Sequence, residues 1–332
     1  MHTKNHSGIY SDYKKKIDEI LAQQIIKDNP LTLYEPLKYL LSGGGKRIRP
    51  VLMLFSCEAA GGRMEDALYA SVAIELLHNF TLVHDDIMDN ADTRRGRETL
   101  HKKWNDNVAI LSGDHLIGMA YMNLIKTRSD RLSEIISSFT DGILEVCEGQ
   151  SYDKEFEIRK DVKLSEYIMM IGKKTARMLE TSAEVGALIG NGNEEIVRNL
   201  KSYASNLGIA FQILDDLLDI NSSEEELGKK IGGDLLEGKK TFLILKALEL
   251  VKDKNDLRKI TDVIENNGLD PADENGILEI KRIYEKSGVI EFAKTEIEKY
   301  TFLAEKNLSS IADAEMQQRL KWFSSMLMNR NF

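Results

Sequence analysis

Proline is scarce in this chain of 332 residues: Pro30, Pro36, Pro50 and Pro271 are all there is. Nothing between Pro50 and Pro271 carries one, which suits a long succession of helices. Strand signals are also missing, because Val, Ile and Thr never cluster in short alternating runs bounded by hairpin turns. Cysteine is limited to Cys57 and Cys147. Both sit in apolar helical surroundings without metal-ligand spacing, so they predict two reduced, buried thiols in a cytoplasmic protein. Positive charge is in deficit, and a net charge of -9 argues against non-specific nucleic-acid binding as the main function. No run of ~18 apolar residues escapes a charge, which excludes a transmembrane span. The segment Met1-His-Thr-Lys-Asn-His-Ser-Gly8 is polar and lacks the apolar core of a signal peptide.

What remains describes a globular helical protein, 42% hydrophobic and 30% charged. Gly and Asn clusters punctuate it at Ser42–Gly45, Gly61-Gly62, Asn191-Gly192, Gly232-Gly233 and Asn267-Gly268. Residues 67–87, 108–125 and 200–220 are apolar on nearly every face, so they read as central members of a bundle. Residues 277–327 show one-sided patterns (Ile280, Ile283, Ile290, Ile297, Leu303, Leu308, Leu320, Leu327) and read as outer helices. No linker, low-complexity segment or repeat of fixed period interrupts the chain. The expectation is one all-α domain over residues 1–332, with a polar N-terminal tail over residues 1–10.

Two acidic triplets stand out against this background. Asp85, Asp86 and Asp89 close the first apolar run, and Asp215, Asp216 and Asp219 close the third. At ~100° per residue, Asp85 stacks on Asp89 and Asp215 on Asp219. Stacked carboxylates repel, and burial raises the cost of ionising them. A solvated helix end would explain one triplet, although a C-terminus is the wrong end for negative charge. Two triplets of the same Asp-Asp-x-x-Asp form point instead to a hard cation. The alternating acids and central Gly of a calcium loop are missing. Oxygen donors with no nearby His or Cys favour Mg²⁺, or Mn²⁺, over zinc. Mg²⁺ fills its octahedron with waters and phosphate oxygens, so two acid clusters imply a polyphosphate between them.

Basic residues sit beside both triplets. Lys46, Arg47 and Arg49 follow a glycine turn, Arg94-Arg95-Gly96-Arg97 follows the first triplet, and Lys229-Lys230 and Lys239-Lys240 follow the second. Each group alone would read as a solvated face. Their placement in an acidic protein reads as phosphate recognition, planar and bidentate for Arg, a mobile point charge for Lys. A Walker-type loop is rejected, since Lys240 occupies the place of the Mg²⁺-binding Ser or Thr after Gly238-Lys239 and no strand precedes it. His78 lies two turns before Asp85 on the same face, where it reads equally as a packed histidine or a substrate contact. Lys173-Lys174-Thr175 interrupts an amphipathic pattern, and Gln212 lies one turn before Asp215.

Together these motifs resemble the trans-type isoprenyl diphosphate synthases, or polyprenyl synthetases. The likeness runs from about Tyr34 to Phe242 through Gly-Gly-Lys-Arg-x-Arg-Pro, His-x-x-x-Leu-x-His-Asp-Asp-x-x-Asp, Arg-Arg-Gly, Lys-Thr and Gln-x-x-Asp-Asp-x-x-Asp, in that order. The C-terminal ninety residues or so match only in helical character. The resemblance implies a single antiparallel helix bundle around a deep central cavity, an isoprenoid synthase-like fold that is usually a homodimer. It implies that Asp85 and Asp89 hold two Mg²⁺ ions and Asp215 a third, with Asp86 and Asp219 in support. Arg94, Lys174, Lys229 and Lys239 would grip the allylic diphosphate, and Lys46, Arg49, His78 and Arg95 isopentenyl diphosphate. Thr175 and Gln212 would lie along the allylic chain near the ionising carbon. Phe80, five residues before Asp85 with small Thr81 beside it, resembles the chain-length floor of the archaeal type of geranylgeranyl diphosphate synthase.

The expected activity is therefore head-to-tail condensation of isopentenyl diphosphate with dimethylallyl, geranyl or farnesyl diphosphate, giving the C20 geranylgeranyl diphosphate. A farnesyl or mixed C15/C20 synthase is the alternative on chain length. A class I terpene cyclase is the rival enzyme, but such cyclases generally lack the clamp that Lys46, Arg49 and Arg95 would form. A non-catalytic partner subunit would tend to have eroded aspartate motifs, and a helical scaffold explains neither the acids nor the cations.

Overall fold

The computed structural model describes residues 6–221, 232–270 and 274–329. Helices follow one another throughout: α1 (His6–Ala22), α2 (Leu31–Leu41), α3 (Ile48–Ala59), α4 (Met64–Met88), α5 (Leu100–Lys103), α6 (Asp106–Leu124), α7 (Leu132–Ile158) and α8 (Leu164–Ile171). After a π turn over Gly172–Ala176 come α9 (Arg177–Ile189), α10 (Glu194–Asn221), α11 (Gly233–Leu236) and α12 (Phe242–Leu250). The series ends with α13 (Lys254–Glu265), α14 (Glu274–Ser287), α15 (Val289–Lys306) and α16 (Ala314–Asn329). Among the described residues the only sheet is a two-residue pair, β1 (Thr93–Arg94) against β2 (Arg97–Glu98). The all-α expectation holds.

Asparagines end three of these helices in the same way. Asn90, Asn191 and Asn267 adopt left-handed backbone, with φ of 49°, 59° and 56°. The amide just after each reaches back to a carbonyl of the last turn: Ala91 to Asp86 at 2.9 Å, Gly192 to Ala187 at 3.0 Å and Gly268 to Val263 at 2.8 Å. This is the Schellman closure, which satisfies carbonyls that the helix itself leaves bare. The Asn-Gly punctuation read from the sequence thus marks real helix ends. The N-terminus differs from expectation, because α1 starts at His6, inside the segment expected as a polar tail. Burial of Tyr10, Ile17 and Leu21 on one face of α1 accounts for its order.

The chain divides into two compact units. The first comprises residues 1–140, 181–201 and 308–322. Its centre is α4, which packs on α3 and α6. Val72, Ile74, Leu76 and Leu77 of α4, and Val51, Leu52, Met53 and Leu54 of α3, are completely buried. Burying each such side chain is worth roughly 1.5–3 kcal/mol. In contrast, α6 leaves Ile110, Leu111 and Met122 exposed, at 42%, 62% and 60%. The all-round apolar character of residues 108–125 is therefore only partly covered within one chain. Glu58 on α3 ties three elements: it accepts from Tyr13 of α1 at 2.8 Å and from Arg319 of α16 at 2.6 Å.

The second unit comprises residues 141–180, 202–307 and 323–332. Here α12 is central, touching α8, α13, α14 and α15. Its Phe242, Leu243, Ile244, Leu245 and Ala247 are all buried. Residues 200–220 carry a buried stripe (Leu200, Tyr203, Leu207, Ala210, Ile213, Leu217, Ile220) rather than burial all round. Of the residues expected to face inward in the C-terminal third, Ile280, Ile283, Ile290, Leu308, Leu320 and Leu327 are buried, whereas Leu303 is exposed. Cys57 is buried as expected, but Cys147 is exposed because α7 turns that position outward. No helix among the described residues is long and apolar enough to cross a membrane.

Arg319 is 5% exposed and divides its guanidinium between Glu58 and Glu315. Removing one partner of a buried ion pair strands the other. Arg319→Ala is expected to cost on the order of 3 kcal/mol, read as a lower urea midpoint at unchanged slope.

Candidate active site

In the first unit the glycine turn before α3 gathers the cations. Lys46 is exposed, whereas Arg47, in left-handed conformation at φ 58°, turns inward to Asp18 and Glu75. Arg49 lies in the first turn of α3, and its Nη1 meets His78 Nε2 of α4 at 3.3 Å. Its Nε is buried without a hydrogen-bond partner. Burial pushes the Arg49 guanidinium down to about 10, opposed by the charge of Glu75. The His78 ring is pushed well below its usual range, by burial first and then by Arg49, Arg95, Arg94 and Arg47. Burial also lowers Arg95, which donates to the Gly44 carbonyl at 2.6 Å. Arg95 and Gly96 have φ of 53° and 71°, the paired left-handed residues of a tight hairpin turn between β1 and β2. Positive charge here exceeds its buried compensation. An anion brought to this site would relieve both the repulsion and the unmet donor.

The first acidic triplet occupies the last turn of α4, where the Schellman closure stops the helix at Asp89. Its members divide by exposure: Asp85 is half-buried, Asp89 exposed and Asp86 only 5% exposed. Asp86 Oδ1 accepts from Arg94 Nε at 2.6 Å, and burial raises its pKa while Arg94 opposes. So Asp86 anchors Arg94, and Asp85 and Asp89 present carboxylates on one face. Phe80 is 8% exposed, and its ring meets His84 edge-on at 4.6 Å between centroids. His84 in turn fills the space left by Gly113 of α6, where an added Cβ would fall 2.3 Å from His84 Nε2.

The second triplet, in the second unit, divides in the same way. Asp215 is exposed, Asp219 half-buried and Asp216 buried. Asp216 accepts from Tyr167 Oη, from Gln212 Nε2 at 3.0 Å and from the Phe242 amide at 3.1 Å. Burial raises its pKa to about 7, with those three bonds opposing. Gln212 Oε1 then accepts from Thr175 Oγ1 at 2.9 Å. Asp219 Oδ2 accepts the Asp234 amide at 3.2 Å. Thr175 and Lys174 sit on the π turn, whose wider coil inserts one residue into the α8–α9 path. Gly149 of α7 lets that turn approach, since a Cβ there would lie 2.4 Å from the Lys174 nitrogen. Lys174 Nζ pairs with Asp153 at 2.5 Å, and Lys239 Nζ with Glu237 at 2.5 Å. Lys240 is buried and donates to the Glu157 carbonyl at 3.1 Å, so it serves structure. Lys229 lies outside the described residues.

The structure thus brings together Lys46, Arg49, His78, Phe80, Asp85, Asp89, Arg94 and Arg95 within the first unit. It groups Lys174, Thr175, Gln212, Asp215 and Lys239 within the second. Reading from sequence missed Glu75, Asp153 and the hub role of Asp216. Asp216 could have been found, because Gln212 precedes it by one helical turn. Asp153 could not, being 21 residues from Lys174. The donor set suits a hydrated Mg²⁺ ion. Among the described residues no three His, Cys, Asp or Glu side chains converge into an all-protein cage. One or two open carboxylates per ion, with water and phosphate completing the shell, is how Mg²⁺ is usually held.

Arginines short of counter-charge accompany one Asp-Asp-x-x-Asp motif in the first unit, and a second such motif lies in the second unit, a donor and acceptor set suited to phosphate and hydrated cations. Comparison with known proteins gives the family. Residues 30–280 match the polyprenyl synthetase family model, and the chain belongs to that family. It is 36% identical to the short chain isoprenyl diphosphate synthase of Methanothermobacter thermautotrophicus over 97% of this chain and 98% of that one. It is 39% identical to the geranylgeranyl diphosphate synthase of Saccharolobus solfataricus, over 93% of each. A crystal structure of geranylgeranyl pyrophosphate synthetase from Pyrococcus horikoshii is similar at a TM-score of 0.91 and 35% identity, covering 99% of this chain and 100% of that one.

Protonating His78 would place a charge among four arginines, so the folded protein holds the ring neutral. The unfolded chain takes up that proton near pH ~6.5. Stability from this source is present above that value and is lost as pH falls. Raised Asp216 and Asp234 act in the opposite sense, so a difference measurement isolates His78. Between pH 7 and 5 the stability advantage of wild type over His78→Gln is expected to shrink by at most about 1.4 kcal/mol per pH unit, measured by urea unfolding.

Proposed function

We propose that this polyprenyl synthetase is a short-chain trans-prenyltransferase making geranylgeranyl diphosphate. It condenses isopentenyl diphosphate head-to-tail with dimethylallyl, geranyl or farnesyl diphosphate and releases pyrophosphate. The carrying observation is Arg49: half-buried, its Nη1 against neutral His78, its Nε buried without a hydrogen-bond partner, and Glu75 acting on it only as a nearby charge. With Arg95 and exposed Lys46 it forms a receptor for a diphosphate, with His78 as a neutral hydrogen-bonding group. A terpene cyclase has no second diphosphate substrate to place there.

In the reaction, the allylic carbon–oxygen bond breaks heterolytically, leaving a delocalised cation and a departing diphosphate. Asp85, Asp89 and Asp215 would hold Mg²⁺ ions in this reading, two on the first pair and a third on Asp215. Mg²⁺ held there would supply charge neutralisation on the leaving group. Arg94, Lys174 and Lys239 bind the same group and take up the negative charge that grows on it. Lys229 is assigned there by motif alone. Asp86 and Asp153 orient Arg94 and Lys174. The Gln212 carbonyl and Thr175 hydroxyl set fixed dipoles near the ionising carbon, aligned by Asp216. Isopentenyl diphosphate, held by Lys46, Arg49, His78 and Arg95, adds its double bond to the cation. Holding both substrates in reacting geometry favours addition over capture by water. The resulting tertiary cation loses a proton, and the released diphosphate is the base.

A homodimer belongs to this proposal, with a second copy covering Ile110, Leu111 and Met122 of α6. So does a cytoplasmic location, in keeping with two unpaired thiols. Residues 1–332 are read as one prenyl synthase domain. Product length is assigned to Phe80. Relatives vary in that property: a geranylfarnesyl diphosphate synthase of Natronomonas pharaonis is 32% identical, over 97% of both chains.

Purified protein given labelled isopentenyl diphosphate, each allylic starter and Mg²⁺ is expected to yield mainly C20 alcohols after dephosphorylation. Failure to incorporate the label would overturn the reading. Asp85→Asn is expected to lower turnover by about 10²–10³-fold, the loss typical of removing one electrostatic element, with an unchanged circular dichroism spectrum. Phe80→Ala is expected to lengthen products beyond C20, and an unaltered chain-length profile would refute the floor assignment.

A further inference from the structure

Arg47 stands between two proposed diphosphate ligands in sequence, yet its side chain faces the interior and is 5% exposed. Its Nε donates to Asp18 Oδ1 at 2.7 Å. Its Nη1 donates to Glu75 Oε1 at 2.6 Å and to the Gly44 carbonyl at 3.1 Å. That same carbonyl accepts from Arg95 Nη1 at 2.6 Å. A continuous path therefore runs from α1 and α4, through one guanidinium and one carbonyl, to Arg95.

The loop needs such a path. Gly44, Gly45 and Arg47 have φ of 69°, 156° and 58°, conformations in which glycines impose no rigidity of their own. A planar fork with three acceptors restrains the backbone where side-chain packing cannot. Tyr10 of α1 adds a second tie, donating its hydroxyl to the Lys46 carbonyl. Glu75 acts electrostatically as well. It is 2% exposed, and its charge is the main influence favouring the charged forms of Arg49 and Arg95 against burial. It helps Arg47, Arg49 and Arg95 stay charged together before substrate arrives.

We propose that Glu75 and Arg47 are positioning residues for isopentenyl diphosphate: the buried pair fixes the Gly44 carbonyl, and through it the placement of Arg95, Lys46 and Arg49. Neither residue touches the substrate. The proposal rests on the assignment of Lys46, Arg49 and Arg95 to that diphosphate.

Steady-state kinetics of the full chain, with each substrate varied in turn, test it. Glu75→Gln keeps the shape and removes the charge. It is expected to raise KM for isopentenyl diphosphate about tenfold, with KM for the allylic substrate and kcat changed less than about threefold, the pattern of lost binding. Arg47→Lys keeps the charge, cannot bridge all three acceptors, and should show the same split. Should Glu75→Gln fail to fold, Asp18→Asn serves, since it leaves the Arg47–Glu75 pair in place and should give a smaller rise of the same kind. Equal rises in both KM values, or none, would overturn the proposal. Arg49→Ala separates the two levels. If it leaves KM for isopentenyl diphosphate unchanged, the site assignment fails. If it raises that KM while the Glu75, Arg47 and Asp18 variants do not, only the positioning role fails.

Discussion

Crowded, partly desolvated positive charge without matching negative charge is the constraint on which the rest depends. Removing an ion fully from water costs several kcal/mol even after relaxation, and a fold that partly desolvates Arg49 and Arg95 beside a neutral His78 bears a share of that cost. Glu75 offsets part of it and leaves the remainder for a ligand. The glycine turn, the inward Arg47 and the tight Arg94–Arg97 hairpin are the local means by which the guanidinium groups are held together. An ordinary solvated surface would let them disperse.

The acidic motifs solve the converse problem by division of labour. Within each Asp-Asp-x-x-Asp, the middle aspartate is buried and held by protein donors. Asp86 accepts from Arg94, and Asp216 from Tyr167, Gln212 and the Phe242 amide. The flanking aspartates remain on the accessible face. Negative charge at a helix C-terminus opposes the macrodipole, so the outer carboxylates are left poised for cations. The repeated pattern in two units ties this arrangement to the motif rather than to either helix.

Much of this was legible in the sequence, for physical reasons. Helical periodicity put Asp85 with Asp89 and Asp215 with Asp219, and Asn-Gly steps marked helix ends through their tolerance of left-handed backbone. Other features were not. The apolar face of α6 gave no sign that Ile110 and Leu111 would stay uncovered, and α12 gave none that it would be the hub of its unit. Cys147 followed an apolar pattern and still emerged on the surface, because pattern reports a helix face without its neighbours.

By itself, the sequence determined the helical class, the motif order and the chemical type of each ligand, since these follow from local geometry and functional groups. Tertiary structure alone decided the direction in which each charge turned. Lys46 and Arg47 are adjacent, yet one meets solvent and the other is enclosed. Lys239 and Lys240 part in the same way. The partners that decide these outcomes are remote: Glu75 lies 28 residues from Arg47, and Gln212 lies 37 from Thr175. Burial and pairing depend on contacts across such distances, and no local pattern encodes them.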